Sequence, residues 1–269
     1  MVITDLDGTL FNEMQEVEEY DLQTLHQLKE MNIIRAIATG RNLFSVQKRL
    51  KPEFPVDYVI FSSGAGIYDW NKQELIHSDY LPKNKVKHIT YFLIQHQVDF
   101  MIHEMVPHNH KFVYYKSPVE NPDFNRRFEL YKEFAEPLDI KKETFRHASQ
   151  ILAIPKDKPD FHLFTQDQIE GVKIIRTTSP LDGESLWIEI FPEGVSKGHG
   201  TEWLCKHTHT DPKKTLGIGN DYNDLDLLDF TGKSFVVENA PQEIKAQYQS
   251  CQSNVNCGFS DAVQQVLQD

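Results

Sequence analysis

Asp5 and Asp7 stand two residues apart at the end of a short apolar run, residues 1–4, and Gly8-Thr9 turns the chain just after them. A carboxylate can accept a phosphoryl group and so divide one difficult displacement into two easier ones. Phosphate esters repel anions, so such a nucleophile requires a cation beside it. The segment Asn220-Asp221-Tyr222-Asn223-Asp224 supplies a second cluster of oxygens. Together with Asp5 it suits Mg2+, a hard ion that takes oxygen ligands and keeps several waters. Asp7 is then available to protonate the leaving oxygen and afterwards to activate water. Thr39 offers a hydroxyl to a phosphate oxygen, and Lys197 offers a cation able to hold the nucleophile and offset phosphoryl charge. Each residue alone has a plainer reading: Asp5 and Asp7 as turn or capping residues, Thr39 as a helix cap, Lys197 as a solvated charge. Their joint occurrence is what makes a site.

The segments that must position these groups alternate in type. Residues 1–4 read as a buried strand, Leu22, Leu25, Leu28 and Met31 recur at helical spacing, and 33–38 read as a second strand ending at Thr39. Phe44, Val46 and Leu50 mark another helix, and 56–62 a third strand. Strands alternating with helices predict a parallel sheet whose ligands sit beyond the carboxyl ends of the strands, where Asp5, Asp7 and Thr39 fall. From 82 to 186 the pattern changes to helices, including 124–134, mixed with half-buried strands at 112–115 and 151–154. Alternation resumes with strands at 187–191, 215–218 and 234–237 and helices at 197–206 and 225–230.

Asp5-Leu6-Asp7-Gly8-Thr9-Leu10 resembles the first signature of the haloacid dehalogenase superfamily. Thr39-Gly40-Arg41 is similar to the second, Val195-Ser196-Lys197-Gly198 to the third, and Gly219-Asn220-Asp221-Tyr222-Asn223-Asp224 to the fourth. The four follow the family's order over almost the whole chain. The long insertion, with Ser62-Ser63-Gly64-Ala65-Gly66 before it, resembles that of the Cof-like phosphatases, whose cap covers the site. The resemblance implies an α/β fold: a discontinuous Rossmann-like parallel-sheet core, 1–81 and 187–269, with an α+β cap domain inserted at 82–186. It implies Asp5 as nucleophile and Asp7 as acid and base, with Thr39, Gly40, Arg41, Lys197 and Asn223 at the phosphate. It implies Mg2+ held among Asp5, Asp7, Asn220, Asp221 and Asp224. The fourth signature commonly begins Gly-Asp, whereas here Asn220 follows Gly219 and a carboxylate comes only at Asp221. Either Asn220 ligates through its neutral carbonyl oxygen or the loop shifts and Asp221 does; keeping Asn223 and Asp224 in register favours Asn220.

The expected reaction is hydrolysis of a small phosphorylated metabolite, a sugar phosphate among the candidates. A phosphomutase and a non-catalytic phosphometabolite-binding protein are the alternatives, separated by product analysis and by turnover. Within the insertion, His103, His108, Asn109 and His110 are candidates for substrate contact, and Arg126-Arg127 for a second anionic group.

Composition bounds the rest. A chain of 269 residues with 39% hydrophobic and 25% charged residues is that of a folded protein long enough for a large domain carrying a smaller one. A net charge of -12 opposes a nucleic-acid partner, since phosphate backbones are held by accumulated Lys and Arg. Neither a membrane-length apolar run nor a secretory leader is visible, which gives the expectation of a cytoplasmic protein without a membrane partner. No protein partner is predictable. Three cysteines without metal-like spacing read as free thiols.

Overall fold

The computed structural model describes residues 1–140, 145–156, 164, 169–179, 181 and 184–268. The remaining parts of the 82–186 insertion lie outside the described residues. The described chain forms two compact units, Met1–Ser78 together with Ser196 onward, and Asp79–Val195.

The first unit is built on eight strands: β1 (Val2–Thr4), β2 (Arg35–Ala38), β3 (Tyr58–Phe61), β4 (Gly66–Asp69), β5 (Glu74–Ser78), and, after the second unit, β12 (Leu216–Gly219), β13 (Lys233–Val237) and β14 (Gln249–Cys251). Their order is β14-β13-β12-β1-β2-β3-β4-β5. Pairing is parallel from β14 to β3 and antiparallel for β3/β4 and β4/β5. The central strands are buried along their length, Val2, Ile3 and Thr4 in β1 and Arg35 to Ala38 in β2. That burial explains why they read as continuous apolar runs, as parallel strands covered on both faces must.

Helices α1 (Glu19–Glu30), α2 (Leu43–Arg49), α5 (Lys197–Thr208), α6 (Leu225–Phe230), α7 (Gln242–Lys245) and α8 (Gly258–Leu267) belong to the same unit. Leu25 and Leu28 of α1 are buried at the helical spacing seen in the sequence, whereas Met31 caps the helix and is exposed. Ile3, Ala36, Ala38 and Ile60 from the sheet pack with Leu204 of α5 and Leu227 of α6 into one core cluster. The chain leaves β1 toward β2 on one side and meets β12 on the other, so the strand order diverges at β1. In open α/β sheets, ligands bind beyond the carboxyl ends at such a point.

The second unit carries a six-stranded sheet, ordered β10 (Val172–Thr178), β11 (Leu186–Pro192), β9 (Gln150–Ile154), β6 (Asp99–His103), β7 (Phe112–Tyr115), β8 (Ala135–Pro137). It is antiparallel except for β7/β8. Helix α3 (Lys83–Gln95) supplies Val86, Ile89 and Leu93 to one cluster, and α4 (Pro122–Tyr131) supplies Phe124 to another that includes Met101, Leu152 and Trp187.

One expectation is corrected here. The strand expected at 187–191 in the parallel core pairs instead with β9 and β10 of the second sheet, through Ile188↔Ala153 and Ile190↔Ile151 on one side and Ile190↔Ile174 on the other. Its apolar alternation marks a strand with a buried face, and that pattern is blind to which sheet it joins. The second boundary between the units accordingly falls at Val195/Ser196 rather than 186/187, and the first falls at Ser78/Asp79 rather than 81/82.

Candidate active site

Asp5 follows the last residue of β1, and its backbone N–H donates to the Ile218 carbonyl of β12 at 2.8 Å. Thr39 follows β2, its N–H bonded to the Ile60 carbonyl at 2.8 Å, and Asn220 follows β12. The three adjacent parallel strands therefore deliver these groups to one edge of the sheet.

Lys197 is the first residue of α5, whose N-terminus is capped by the Ser196 side chain accepting from the His199 N–H at 3.1 Å. A cation in the first turn of a helix works against the helix dipole, and no acidic residue shares that turn. Compensation comes from elsewhere in the chain. The Lys197 ammonium donates to Asp5 Oδ1 and to Asp224 Oδ1, each at 2.6 Å, and all three residues are buried. Asp224 Oδ2 accepts from the backbone N–H groups of Asn220 at 2.9 Å and Asp221 at 3.1 Å. One carboxylate thus fixes the lysine and shapes the loop after β12.

Within that loop Asp221 is exposed, and its carboxylate accepts from the Tyr222 N–H at 2.7 Å. Asn220 takes the inward place. A Cβ built on Gly8 would stand 2.6 Å from Asn220 Nδ2, and Gly8 has φ +76°. Glycine is required there by the left-handed backbone, and the contact shows how closely the fourth signature approaches the first. Asn239 holds the same turn, donating to the Gly8 carbonyl at 2.8 Å. Nothing local in the sequence around Asn239 announces this role. Asn223 is half-buried in the short turn before α6.

Asp7, whose charge is felt at Asp5, is not part of the buried triad: about half of its side chain is exposed (48%). Arg41 grips it with two bonds, Nε to Oδ2 at 2.7 Å and Nη2 to Oδ1 at 2.5 Å. The sequence placed Arg41 at the phosphate and did not foresee this fork. The Thr39 hydroxyl accepts from the Arg41 N–H at 3.1 Å, and Gly40 is exposed between them.

The electrostatics of the triad follow from its count of charges. Burial pushes the Asp5 carboxyl up from 3.8 to about 7; Lys197 opposes this, and the Asp224 carboxylate adds to it. Burial likewise disfavours the Lys197 ammonium, but Asp224 and Asp5 together outweigh it and hold the lysine protonated above its ordinary range. Two carboxylates share one ammonium, so neither is fully neutralised by it. The buried set therefore carries one negative charge in excess when both acids are ionised. A divalent cation would offset that charge. The donor set fits one of the hard class: Asp5 Oδ2 carries no hydrogen bond among the described residues, and Asn220 adds a neutral side-chain oxygen.

The model of the haloacid dehalogenase-like hydrolases matches residues 2–266. The chain belongs to that family. Among relatives of this haloacid dehalogenase-like hydrolase, the HMP-PP phosphatase of Escherichia coli O6:H1 is 26% identical over 245 residues, spanning 90% of this chain and 85% of the relative. The fold is shared with BT1666 from Bacteroides thetaiotaomicron, a phosphatase of the same superfamily, at TM-score 0.81 and 17% identity, covering 98% and 93% of the two chains. It is shared also with the subclass IIB sugar phosphatase BT4131, at TM-score 0.78 and 17% identity over 98% of each chain.

Other residues singled out in the sequence of this hydrolase pack within the second unit. Arg127 is half-buried, its guanidinium 4.6 Å from the Trp187 ring centroid and 5.2 Å from that of Tyr131. His103 is buried, with Nδ1 2.8 Å from the Asn109 carbonyl oxygen, which makes Nδ1 the protonated nitrogen. Burial, reinforced by the charge of Arg127, lowers the His103 pKa from 6.5 to about 3. A histidine held neutral in the fold binds a proton more readily when unfolded, so it costs stability as pH falls from about 6.5 toward 3. Thermal denaturation of His103→Gln should show a shallower loss over that window than the wild type; parallel curves would mean that His103 titrates normally. No helix among the described residues is long and apolar enough to cross a membrane, and Cys205, Cys251 and Cys257 are free.

Proposed function

We propose that the protein is a magnesium-dependent phosphatase that hydrolyses small phosphate monoesters through a phosphoryl group carried on Asp5. The observation that carries this reading is the buried Lys197 ammonium bonded at 2.6 Å to both Asp5 and Asp224. A purely structural core would gain as much from apolar residues of the same volume. A nucleophile that must stay oriented beside a dianion needs this arrangement.

In the first step an Asp5 oxygen attacks phosphorus; the Asp5 O–P bond forms, the ester P–O bond breaks, and a proton from the Asp7 carboxyl passes to the leaving oxygen. In the second, Asp7 as carboxylate takes a proton from water, whose oxygen bonds to phosphorus as the Asp5 O–P bond breaks and inorganic phosphate leaves. Arg41 orients Asp7 through its two-bonded grip. Lys197 holds Asp5 with one oxygen forward, and the Thr39 hydroxyl, with Asn223, binds phosphate oxygens. Asp5 and Asn220 would hold Mg2+, with Asp224 acting through Lys197 and the loop amides; the ion supplies neutralising charge between carboxylate and phosphate when bound. Asp221, exposed and capping the turn, is left to the ion's waters. The substrate is a small phosphorylated molecule, a sugar phosphate among the candidates, as the names of the E. coli relative and of BT4131 suggest.

Purified protein should release inorganic phosphate from p-nitrophenyl phosphate with Mg2+ and lose at least about 100-fold of that rate in excess EDTA, recovering it on adding Mg2+ back. Release that persists unchanged in EDTA would remove the metal from the mechanism.

A further inference from the structure

The turn joining β3 to β4 has features that the phosphatase reading leaves unused. Ser62 and Ser63 both adopt left-handed backbone, with φ 49° and 54°, and both are buried. Tight hairpin turns with this backbone are usually made by Asn, Asp or Gly, because other L residues are strained there. The surroundings fix the conformation. The Ser62 N–H donates to the Arg41 carbonyl at 2.8 Å and the Ser63 N–H to the Thr39 carbonyl at 3.0 Å. On the far side, a Cβ on Gly64 would stand 2.1 Å from the Ser196 carbonyl oxygen, one residue before Lys197. The turn is therefore wedged between the Thr39 loop and the start of α5.

The Ser63 side chain is the notable part. Its hydroxyl makes no hydrogen bond among the described residues. It lies 3.6 Å from where a Cβ on Gly40 would stand, so any side chain at position 40 would rest against it. Glycine at 40 leaves that hydroxyl uncovered beside the Thr39 loop. Backbone strain that surrounding contacts hold in place tends to cluster at ligand sites, and here it delivers an unused donor next to Thr39.

We propose that Ser63 is a phosphate-binding residue whose hydroxyl donates to an oxygen of the phosphoryl group held at Thr39. The inference rests on the phosphatase reading and adds a fifth segment to the site. Three variants separate it from a turn that is merely structural. Ser63→Ala keeps the strain and removes the donor; Ser63→Gly removes both; Ser63→Asn tolerates the backbone and restores a donor. With p-nitrophenyl phosphate and Mg2+, Ser63→Ala and Ser63→Gly should each raise KM and the inhibition constant of inorganic phosphate about tenfold, as loss of a hydrogen bond to a charged group does. Ser63→Gly should at the same time melt higher than the wild type, and Ser63→Asn should recover most of the phosphate affinity. A glycine variant that melts higher with unchanged phosphate inhibition would overturn the proposal. Calorimetric titration of inorganic phosphate into the Mg2+-loaded wild type and Ser63→Ala reads the same contact without turnover. An inactive wild type that still binds phosphate more tightly than Ser63→Ala would sink the phosphatase reading and keep the contact; equal affinities would sink the contact.

Discussion

Replacing Asp5 with asparagine should lower kcat for p-nitrophenyl phosphate on the order of 10⁴-fold or more, the scale seen when a nucleophile is removed from an otherwise intact site, while the protein stays folded. The amide keeps the volume and can still accept from Lys197, so packing around β1 is undisturbed. Folding should even improve in metal-free buffer, and pH tells why. The Asp5 carboxyl rises from 3.8 to about 7 on folding, burial being the main cause. The folded state therefore holds its proton over a range in which the unfolded chain has released it. The favourable contribution is complete below about pH 4 and disappears as pH climbs through 7. Asparagine does not titrate, and groups remote from the triad cancel between the two proteins. In EDTA the melting temperature of the wild type relative to Asp5→Asn should consequently fall between pH 4 and 8, and Mg2+ should narrow the gap by charging the site from the other side. A pH-independent difference would show that Asp5 ionises in the fold as it does in water. Undiminished turnover in the variant would dismiss it as nucleophile.

The ends of β1, β2 and β12 were legible because chemistry in a parallel sheet is placed at strand ends, where an apolar run stops and an acid or hydroxyl begins. Asp5, Thr39 and Asn220 each sit at such a transition, and the structure brings them to three neighbouring strands. Asn220 rather than Asp221 faces Gly8, the register that keeps Asn223 and Asp224 aligned. What stayed hidden depends on partners far away in sequence. The fork between Arg41 and Asp7 spans 34 residues and the bond from Asn239 to Gly8 spans 231, and neither leaves a periodic trace. The sheet joined by β11 is hidden for the same reason: its hydrogen-bond partners, not its own residues, decide the question. The β4–β5 hairpin that widens the core sheet was also missed. Leu75 and Ile76 are only half-buried in β5, so the edge strand lacks a strong apolar face.

Lys197→Met should cost stability as well as turnover, and the size of the loss follows from what is left behind. Methionine fills nearly the same space, so packing around α5 changes little. The Asp5 and Asp224 carboxylates, however, lose the ammonium they share at 2.6 Å, in a site where Lys197 is 1% exposed, Asp5 4% and Asp224 0%. Removing one partner of a buried ion pair typically costs about 3–5 kcal/mol, a large part of the roughly 5–15 kcal/mol that holds a domain together. Here two carboxylates lose one ammonium, but Asp5, already raised to about 7 by burial, can take up a proton, so Asp224 is the charge left stranded and the loss falls within that range. A control separates burial from charge. Lys206 pairs with Glu202 at 2.7 Å across an exposed turn of the same helix, and Lys206→Met should cost less than about 1 kcal/mol because solvent already screens that pair. Denaturant titrations in EDTA should rank the variants in that order. Mg2+ should restore part of the Lys197→Met loss, since a cation beside Asp5 replaces some of the missing charge, yet phosphate release should stay at least about 100-fold down because nothing then orients the nucleophile. Equal stabilities for the two lysine variants would mean that the carboxylates at the ends of β1 and β12 do not depend on Lys197, and the charge balance on which the proposed chemistry stands would be lost.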